Sequence, residues 1–480
     1  MEITIILASF LAAAVLGLLV KHRSILEATS IAATAIAFIG SIIVAVKVAP
    51  PGGYETLSFF SIDSFGAIIM LIIGLIGMAV TVYSVFYLRQ EVTKEIIGLG
   101  RVRQYFIFLN LFLLAMYLAI TASSPIFTWI AIEGTTLSTA FLISFYNKHS
   151  AMEAAWKYLI ISSVGLLLGF FGTLLYFTSI DSSISNSIVS WQTLAANATQ
   201  MDPMIAKIAF IFVLIGYGTK VGLAPMHTWL PDAHSKAPAP ISALLSGVLL
   251  NVAIVTIFRF KIITDMVIGE TFSQTLLITF GMLSILIAAL IILLQKNYKR
   301  LLAYSSVENM GIIAIGFGFG TPGIFAATLH MIYHALIKST LFLSAGTIFL
   351  KYSSTKIAKI QGILTTLPVT GIIFFAGFFA ITGAPPFGIF ITKISILSAG
   401  IKMHPVVSII AMFLMALLFV GFFKHVTEML FGEKPEGIKT GEISGWLILP
   451  PLALILTALF LSFYIPTFLR TLIDNVVSTY

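Results

Sequence analysis

Long apolar runs constrain this chain more than any other feature. Stretches of about 20 residues with few charges recur from one end to the other, and a helix rising 1.5 Å per residue needs about that many to cross a hydrocarbon core of about 30 Å. Membrane barrel strands would show short alternating segments instead. Reading the runs between charged or Pro/Gly breaks predicts fourteen spans, near 3–20, 28–46, 64–88, 104–122, 125–146, 154–178, 204–224, 238–260, 274–295, 301–320, 323–350, 366–400, 405–431 and 444–469. The expected fold class is an all-α polytopic membrane protein. Composition agrees, with 59% hydrophobic residues, 10% charged residues and a mean hydropathy of +1.06, well outside the range of soluble domains.

The first run is followed by "KHR" and not by a small-residue cleavage site, so it reads as a retained span. The segment from Ser179 to Asp202 is polar enough to be an external loop. A net charge of +8 is compatible with nucleic-acid binding, but the basic residues are distributed as membrane topology requires. Loops after odd-numbered spans hold seventeen lysines and arginines against six on the other side, which predicts both termini outside. The chain has no cysteine, so it supplies neither disulfides nor thiolate ligands for iron–sulfur clusters. Any redox centre is expected in a partner.

Against this apolar background a few ionisable residues fall inside spans, where each costs about 2.5–3.5 kcal/mol on insertion scales. They are Glu133 in the fifth span, Lys157 in the sixth, Lys220 in the seventh and Glu308 in the tenth. His330, His334 and Lys338 lie in the eleventh, Lys393 in the twelfth, and Lys424, His425 and Glu428 close the thirteenth. Snorkelling to the headgroups competes with function for Lys157, Lys424 and Glu428, near predicted helix ends. It suits Glu133, Lys220 and Lys393 poorly. His330, His334 and Lys338 share one helix face through their spacing of four. A titrating histidine face suits proton relay, although buried imidazoles bonded to neighbouring helices would give the same pattern. An HxxxH pair can hold metal, but the "HExxH" pattern is absent. His227, Asp232 and His234 read as capping and loop residues on the cytoplasmic rim. "GFGFG" at 316–320 ends a span without the strand-to-helix context of a nucleotide loop.

Several polar positions repeat at one offset. Lys157 and His330, Lys220 and Lys393, and Asn251 and Lys424 are each 173 apart, and Glu133 and Glu308 are 175 apart. The offset equals five spans, and an odd number reverses orientation, so spans four to eight and nine to thirteen read as inverted repeats. The seventh and twelfth spans are too long for one continuous crossing and carry breakers, Pro225 and Pro231 in one and "GAPPFG" at 383–388 in the other. Backbone freed by such breaks survives only inside protein or beside water. The expected organisation is three N-terminal helices (1–100), a first five-helix repeat (101–262), a second (263–440) and a final helix (441–480). A freestanding solute transporter fits the repeats alone.

The motifs narrow this further. "KVGLAPMHTWLPDAHSKAPAPISALLSG", "KRLLAYSSVENMG", "LHMIYHALIKSTLFLSAG" and "ITGAPPFGIFITK" resemble the antiporter-like membrane subunits of respiratory complex I, membrane-bound hydrogenases and Mrp sodium/proton antiporters. "SALLSGVLLN" and "SSVENMG" look most like the component F type of the hydrogenase-4 and formate hydrogenlyase branch. The resemblance implies proton movement along a mid-membrane polar axis, with Glu133 pairing with Lys220, Lys393 at the exit side, and His330, His334 and Lys338 between. Asn251 stands where several relatives carry a bridging lysine, and Ser246 where others have histidine. Lys157, His227, His234, Glu308, Lys424 and His425 are accessory candidates. The implied partners are related membrane subunits and a peripheral redox arm holding iron–sulfur clusters with a nickel–iron centre or flavin; this chain is expected to hold no cofactor or metal and to have no catalytic redox site. The alternatives are a silent membrane anchor or an Mrp-type sodium/proton antiporter subunit. The chain also ends too soon after its last span for a long lateral helix.

Overall fold

The computed structural model describes residues 1–50, 55–56, 59–178 and 189–479. Helices α1 (Glu2–Leu19), α2 (Arg23–Val48), α3 (Ser64–Thr93), α4 (Leu99–Thr121), α5 (Pro125–Ile143) and α6 (His149–Phe177) lead to a short α7 (Trp191–Ala196). Then come α8 (Pro203–Val221), α9 (Trp229–Lys236), α10 (Ala239–Leu244), α11 (Leu250–Ile268), α12 (Glu270–Ile292), α13 (Tyr298–Gly318) and α14 (Thr321–Tyr352). The chain finishes with α15 (Ile363–Thr366), α16 (Pro368–Thr382), α17 (Gly388–Met403), α18 (Pro405–Phe431), α19 (Gly445–Phe463) and α20 (Thr467–Thr479). Among the described residues, 13 helical segments are long and apolar enough to cross a membrane, with α8–α9 and α10–α11 each counting once. The broken pair α16–α17 supplies the fourteenth expected span. The protein is a multi-pass, all-α membrane protein. One short hairpin, β1 (Glu55–Thr56) with β2 (Ser61–Ile62), pairs antiparallel beside the start of α3.

Local chemistry sets the helix starts. Asp202 accepts from the backbone N–H groups of Met204 (2.7 Å) and Ile205 (3.0 Å) at the head of α8, with Pro203 following at the position that needs no N–H. Glu442, from the loop before α19, caps α16 through Val369 N (2.8 Å) and Thr370 N (2.9 Å), placing a carboxylate at the positive helix end. In the expected external loop, residues 179–188 lie outside the described residues. The remainder forms α7, whose Trp191 N–H bonds Ser123 O at 2.9 Å.

Small residues bring the helices together, as packing without a hydrophobic driving force requires. The α6 and α8 backbones meet so closely that a Cβ on Gly216 would lie 2.2 Å from Gly169 N. Spans α10–α11, α13 and α14 are almost wholly buried. Helix α14 runs 32 residues and packs on α3, α10, α13, α16, α17, α19 and α20, so it is the centre of the bundle. The last predicted span is shorter than expected. Helix α19 stops at Phe463, and after Pro466 the separate amphipathic helix α20 buries Leu469, Leu472, Ile473 and Val476 against α2, α3 and α14. Averaging hydropathy over this stretch hides the break, because the buried face of α20 is apolar.

Candidate functional site

Lys220 lies in the last turn of α8, where Gly222 adopts a left-handed φ of 78°. Leu223 N bonds Gly218 O (2.9 Å) and Gly222 N bonds Thr219 O (3.2 Å), the paired closure that ends a helix at such a glycine. Trp229 Nε1 takes the Thr219 carbonyl as well, at 2.8 Å, and Ala224 N is held by Ser284 Oγ at 2.9 Å. Four hydrogen bonds therefore hold the break. The Lys220 ammonium is wholly buried and donates to Thr136 Oγ1 (2.8 Å) and Tyr158 OH (2.7 Å), with the Tyr158 ring centroid 4.8 Å away. Tyr158 in turn shares a 2.6 Å bond with Thr139.

Glu133, one turn before Thr136 on α5, is half-buried and accepts from Ser163 Oγ at 2.6 Å; its second oxygen has no protein partner. The ion pair that the resemblance implies between Glu133 and Lys220 is thus not in direct contact here. Two hydroxyls hold the ammonium, and the Glu133 carboxylate sits one turn along α5 from Thr136, which supplies one of them.

The twelfth span has the same plan with the opposite pairing. Helix α16 ends at Gly383 (φ 87°), closed by Ala384 N to Phe379 O (2.9 Å) and Gly383 N to Ala380 O (3.1 Å). Lys393, on α17, donates to Glu308 Oε1 at 2.9 Å and to the carbonyls of Ile381 (3.3 Å) and Thr382 (3.4 Å). Those carbonyls are the negative end of α16. Asn309 steadies the other Glu308 oxygen at 3.4 Å.

Beside Lys393 runs the polar face of α14, which packs on α17. His330, His334 and Lys338 are wholly buried. His330 bonds Thr392 Oγ1 through Nδ1 (2.8 Å) and Asn309 Oδ1 through Nε2 (3.0 Å), so both ring nitrogens are taken. Neither nitrogen of His334 has a protein partner, which in a buried imidazole calls for water. Lys338 donates to Leu302 O (2.5 Å) and to Ser305 Oγ. The Leu302 carbonyl also accepts from Ser306 Oγ (3.3 Å), which shares a 2.7 Å bond with Ser246. Ser246 sits in a π-helical turn, Leu245–Leu249, inside the eighth span, a feature common at functional positions. Asn251 closes this region by donating to Gly247 O (2.9 Å) and Met331 O (3.5 Å), while its Oδ1 has no protein partner. Ser246 therefore joins the Lys338 cluster, and Asn251 ties the π-turn to α14. Among the described residues no direct hydrogen bond joins Lys220 to Ser246.

The accessory candidates divide by burial. Lys157 is about half exposed and pairs with Glu153 (2.6 Å) and Asp232 (3.6 Å); Lys424 and Glu428 are exposed. Their positions suit snorkelling. His425 is buried and bonds Ile292 O at 3.1 Å. His227 and His234 differ from the expectation of rim loops. His227 is buried in a helical turn, 6.0 Å from the Tyr304 ring. His234 is wholly buried on α9, stacked on Phe342 at 4.9 Å, because α9 turns back against α6 and α13. Only Asp232 faces outward, taking Arg300 at 3.3 Å. Sequence reasoning missed Thr136, Tyr158, Ser163, Asn309 and Thr392. A usable signal exists, since Thr136 lies one turn from Glu133, Asn309 is next to Glu308 and Thr392 is next to Lys393.

A bundle with two broken spans, each carrying a buried lysine beside the break, is the frame of an ion-handling membrane subunit. Residues 122–419 match the family described as NADH:quinone oxidoreductase/Mrp antiporter, transmembrane, and the chain belongs to that family, the antiporter-like subunits of complex I-related membrane complexes. It is 38% identical over 376 residues to a hydrogenase-4 component F homolog of Methylacidiphilum infernorum, covering 78% of each chain. It is 29% identical over 367 residues to hydrogenase-4 component B of Escherichia coli, covering 72% of this chain and about half (51%) of that longer protein. The fold matches a chain of the archaeal membrane-bound sulfane sulfur reductase with a TM-score of 0.86 at 22% identity, over 100% of this chain and 96% of that one. It also matches a chain of the Mrp complex from a Dietzia species with a TM-score of 0.84 at 18% identity, over 99% and 97%. These relatives belong to multi-subunit membrane complexes, and this chain is likewise a subunit among membrane partners.

Proposed function

We propose that this chain is the proton-translocating subunit of a hydrogenase-4-type membrane complex, in the plasma membrane with both termini outside. It would be driven by a peripheral redox arm that carries the iron–sulfur clusters and a nickel–iron centre or flavin. The observation that carries this reading is the contrast between the two buried lysines: Lys393 is closed on Glu308 at 2.9 Å, while Lys220 is held by Thr136 and Tyr158. The matching helix breaks, and the placement of Glu133 and Glu308 one span-set apart, support reading spans four to eight and nine to thirteen as inverted repeats.

An ammonium beside a carboxylate is stabilised over one offered only hydroxyls. Moving Lys220 between its hydroxyl partners and Glu133 therefore changes how firmly it holds a proton. Release from Lys220 feeds the axis of Ser246, Ser306, Lys338, His334 and His330, and Lys393 passes the proton outward when its pair with Glu308 opens. Water bridges the interval between Lys220 and Ser246. Each elementary charge moved against the membrane potential costs about 2.3 kcal/mol per 100 mV, which electron transfer in the arm must supply.

The test is to purify the complex through this chain and follow proton movement in vesicles during redox turnover. Redox subunits should copurify, and turnover should drive protons across the bilayer. Turnover without proton movement would leave a silent anchor; exchange of sodium for protons without redox subunits would place the chain in an Mrp-type antiporter.

A further inference from the structure

A second group of buried titratable side chains lies off the axis, at the basic side of the bundle. Glu91, two residues before the end of α3, is wholly buried. Tyr146, half-buried beside the exposed Asn147, donates to Glu91 Oε1 at 2.6 Å and shares a 3.2 Å bond with Tyr87. The second Glu91 oxygen has no protein partner. Lys299, in the first turn of α13, is also buried. Its ammonium bonds Ala237 O at 3.0 Å and lies 5.6 Å from the Phe349 ring, next to Leu350, whose carbonyl takes Lys94 from the end of α3 just beyond Glu91. His234 follows. Both of its ring nitrogens are buried with no protein partner, and it stacks at 4.9 Å on Phe342, whose ring lies 5.9 Å from the Lys338 ammonium.

These groups come from the ends of four spans that all face the same side: α3, α5, the α9–α10 junction and α13. A bilayer-embedded fold gains nothing from burying a carboxylate, an ammonium and an imidazole with open bonding capacity, since each unsatisfied polar group costs stability. Lys338 donates to Leu302 O, three residues beyond Lys299 on α13, so the group leads from Tyr146 at the helix ends toward the axis.

We propose that Tyr146, Glu91, Lys299 and His234 form a second proton inlet that reloads Lys338 from the basic side each time the charge released at the Glu133–Lys220 pair has moved along the axis, so that it works only in turn with Lys220. This rests on the proton-translocation reading above. Glu91 takes the proton beneath Tyr146, water at its free oxygen carries it past Lys299 to His234, and the imidazole hands it to Lys338. The rival is a static ionic cluster in which Lys299 merely caps the α9 carboxyl end.

The experiment compares the intact complex in vesicles carrying wild type, Glu91→Gln, Glu91→Asp and His234→Gln. Glu91→Gln should slow proton uptake by about 100-fold, the lower end of what a positioned proton-transfer group contributes, with Glu91→Asp restoring most of it. Assembled Glu91→Gln and His234→Gln complexes that pump at wild-type rates would overturn the inlet. If Glu91→Gln fails to assemble, His234→Gln decides alone. A wild-type complex that turns over without moving protons would overturn the underlying reading instead.

Discussion

Lys393 closes on Glu308 at 2.9 Å in a site where both side chains are nearly sealed from the surface. Breaking such a pair by removing one partner typically costs about 3–5 kcal/mol, because the other charge stays buried. Glu308→Gln should therefore lower the melting temperature of the purified complex, and Lys393→Met combined with it should recover most of the loss. A loss in the double variant equal to the sum of the two single losses would show that the pair is not coupled.

The hydroxyl cradle of Lys220 makes a different prediction. Each hydrogen bond to a charged group is worth about 1.5–3 kcal/mol, so Tyr158→Phe and Thr136→Val should tilt Lys220 toward Glu133 and slow the step that releases its proton by about tenfold or more. Proton uptake rates in vesicles check this, with thermal stability as the control. Wild-type rates in both variants would mean that the hydroxyls only fill space.

Ser246 and Asn251 should separate in their effects. Ser246→Ala removes the link through Ser306 to the Leu302 carbonyl beside Lys338, so it should reduce proton movement with little change in melting temperature. Asn251→Leu leaves the Gly247 carbonyl of the π-turn without its side-chain donor and should cost about 1–3 kcal/mol of stability. The reverse pattern would put Asn251, and not Ser246, on the proton route.

Packing sets a third kind of limit. A Cβ at Gly216 meets Gly169 N at 2.2 Å and Gly165 O at 2.7 Å, backbone atoms that cannot move aside. Gly216→Ala should push α8 off α6, lower the yield of assembled complex and displace Lys220 from Tyr158. Gly98→Ala, where nothing lies within 4 Å of the added carbon, is the matched control.

Much of this was legible in the residues. Hydropathy placed the spans, because a bilayer imposes one length scale on every crossing, and the breaks at "GLAP" and "GAPPFG" marked the two interrupted helices. The cost of intramembrane charge singled out Lys220, Lys393, Glu133 and Glu308. Which partner each lysine takes was not legible, since Thr136 and Tyr158 are ordinary residues in apolar spans and only three-dimensional packing brings them to Lys220. His234 was misread for a related reason. "PDAHSKAP" looks like a polar loop, yet α9 folds it back beneath Phe342. The offset pairs were uneven guides as well: Lys220 and Lys393 are both buried, whereas Lys157 and Lys424 lie at the surface while His330 and Asn251 lie inside.

The central claim is that Lys220 carries the proton on which coupling depends. The most direct measurement is the number of protons moved per electron pair by the reconstituted complex, compared between wild type and Lys220→Ala. The account predicts that Lys220→Ala keeps partial electron transfer while the ratio for this chain's contribution falls to zero. An unchanged ratio in assembled Lys220→Ala complex would contradict it.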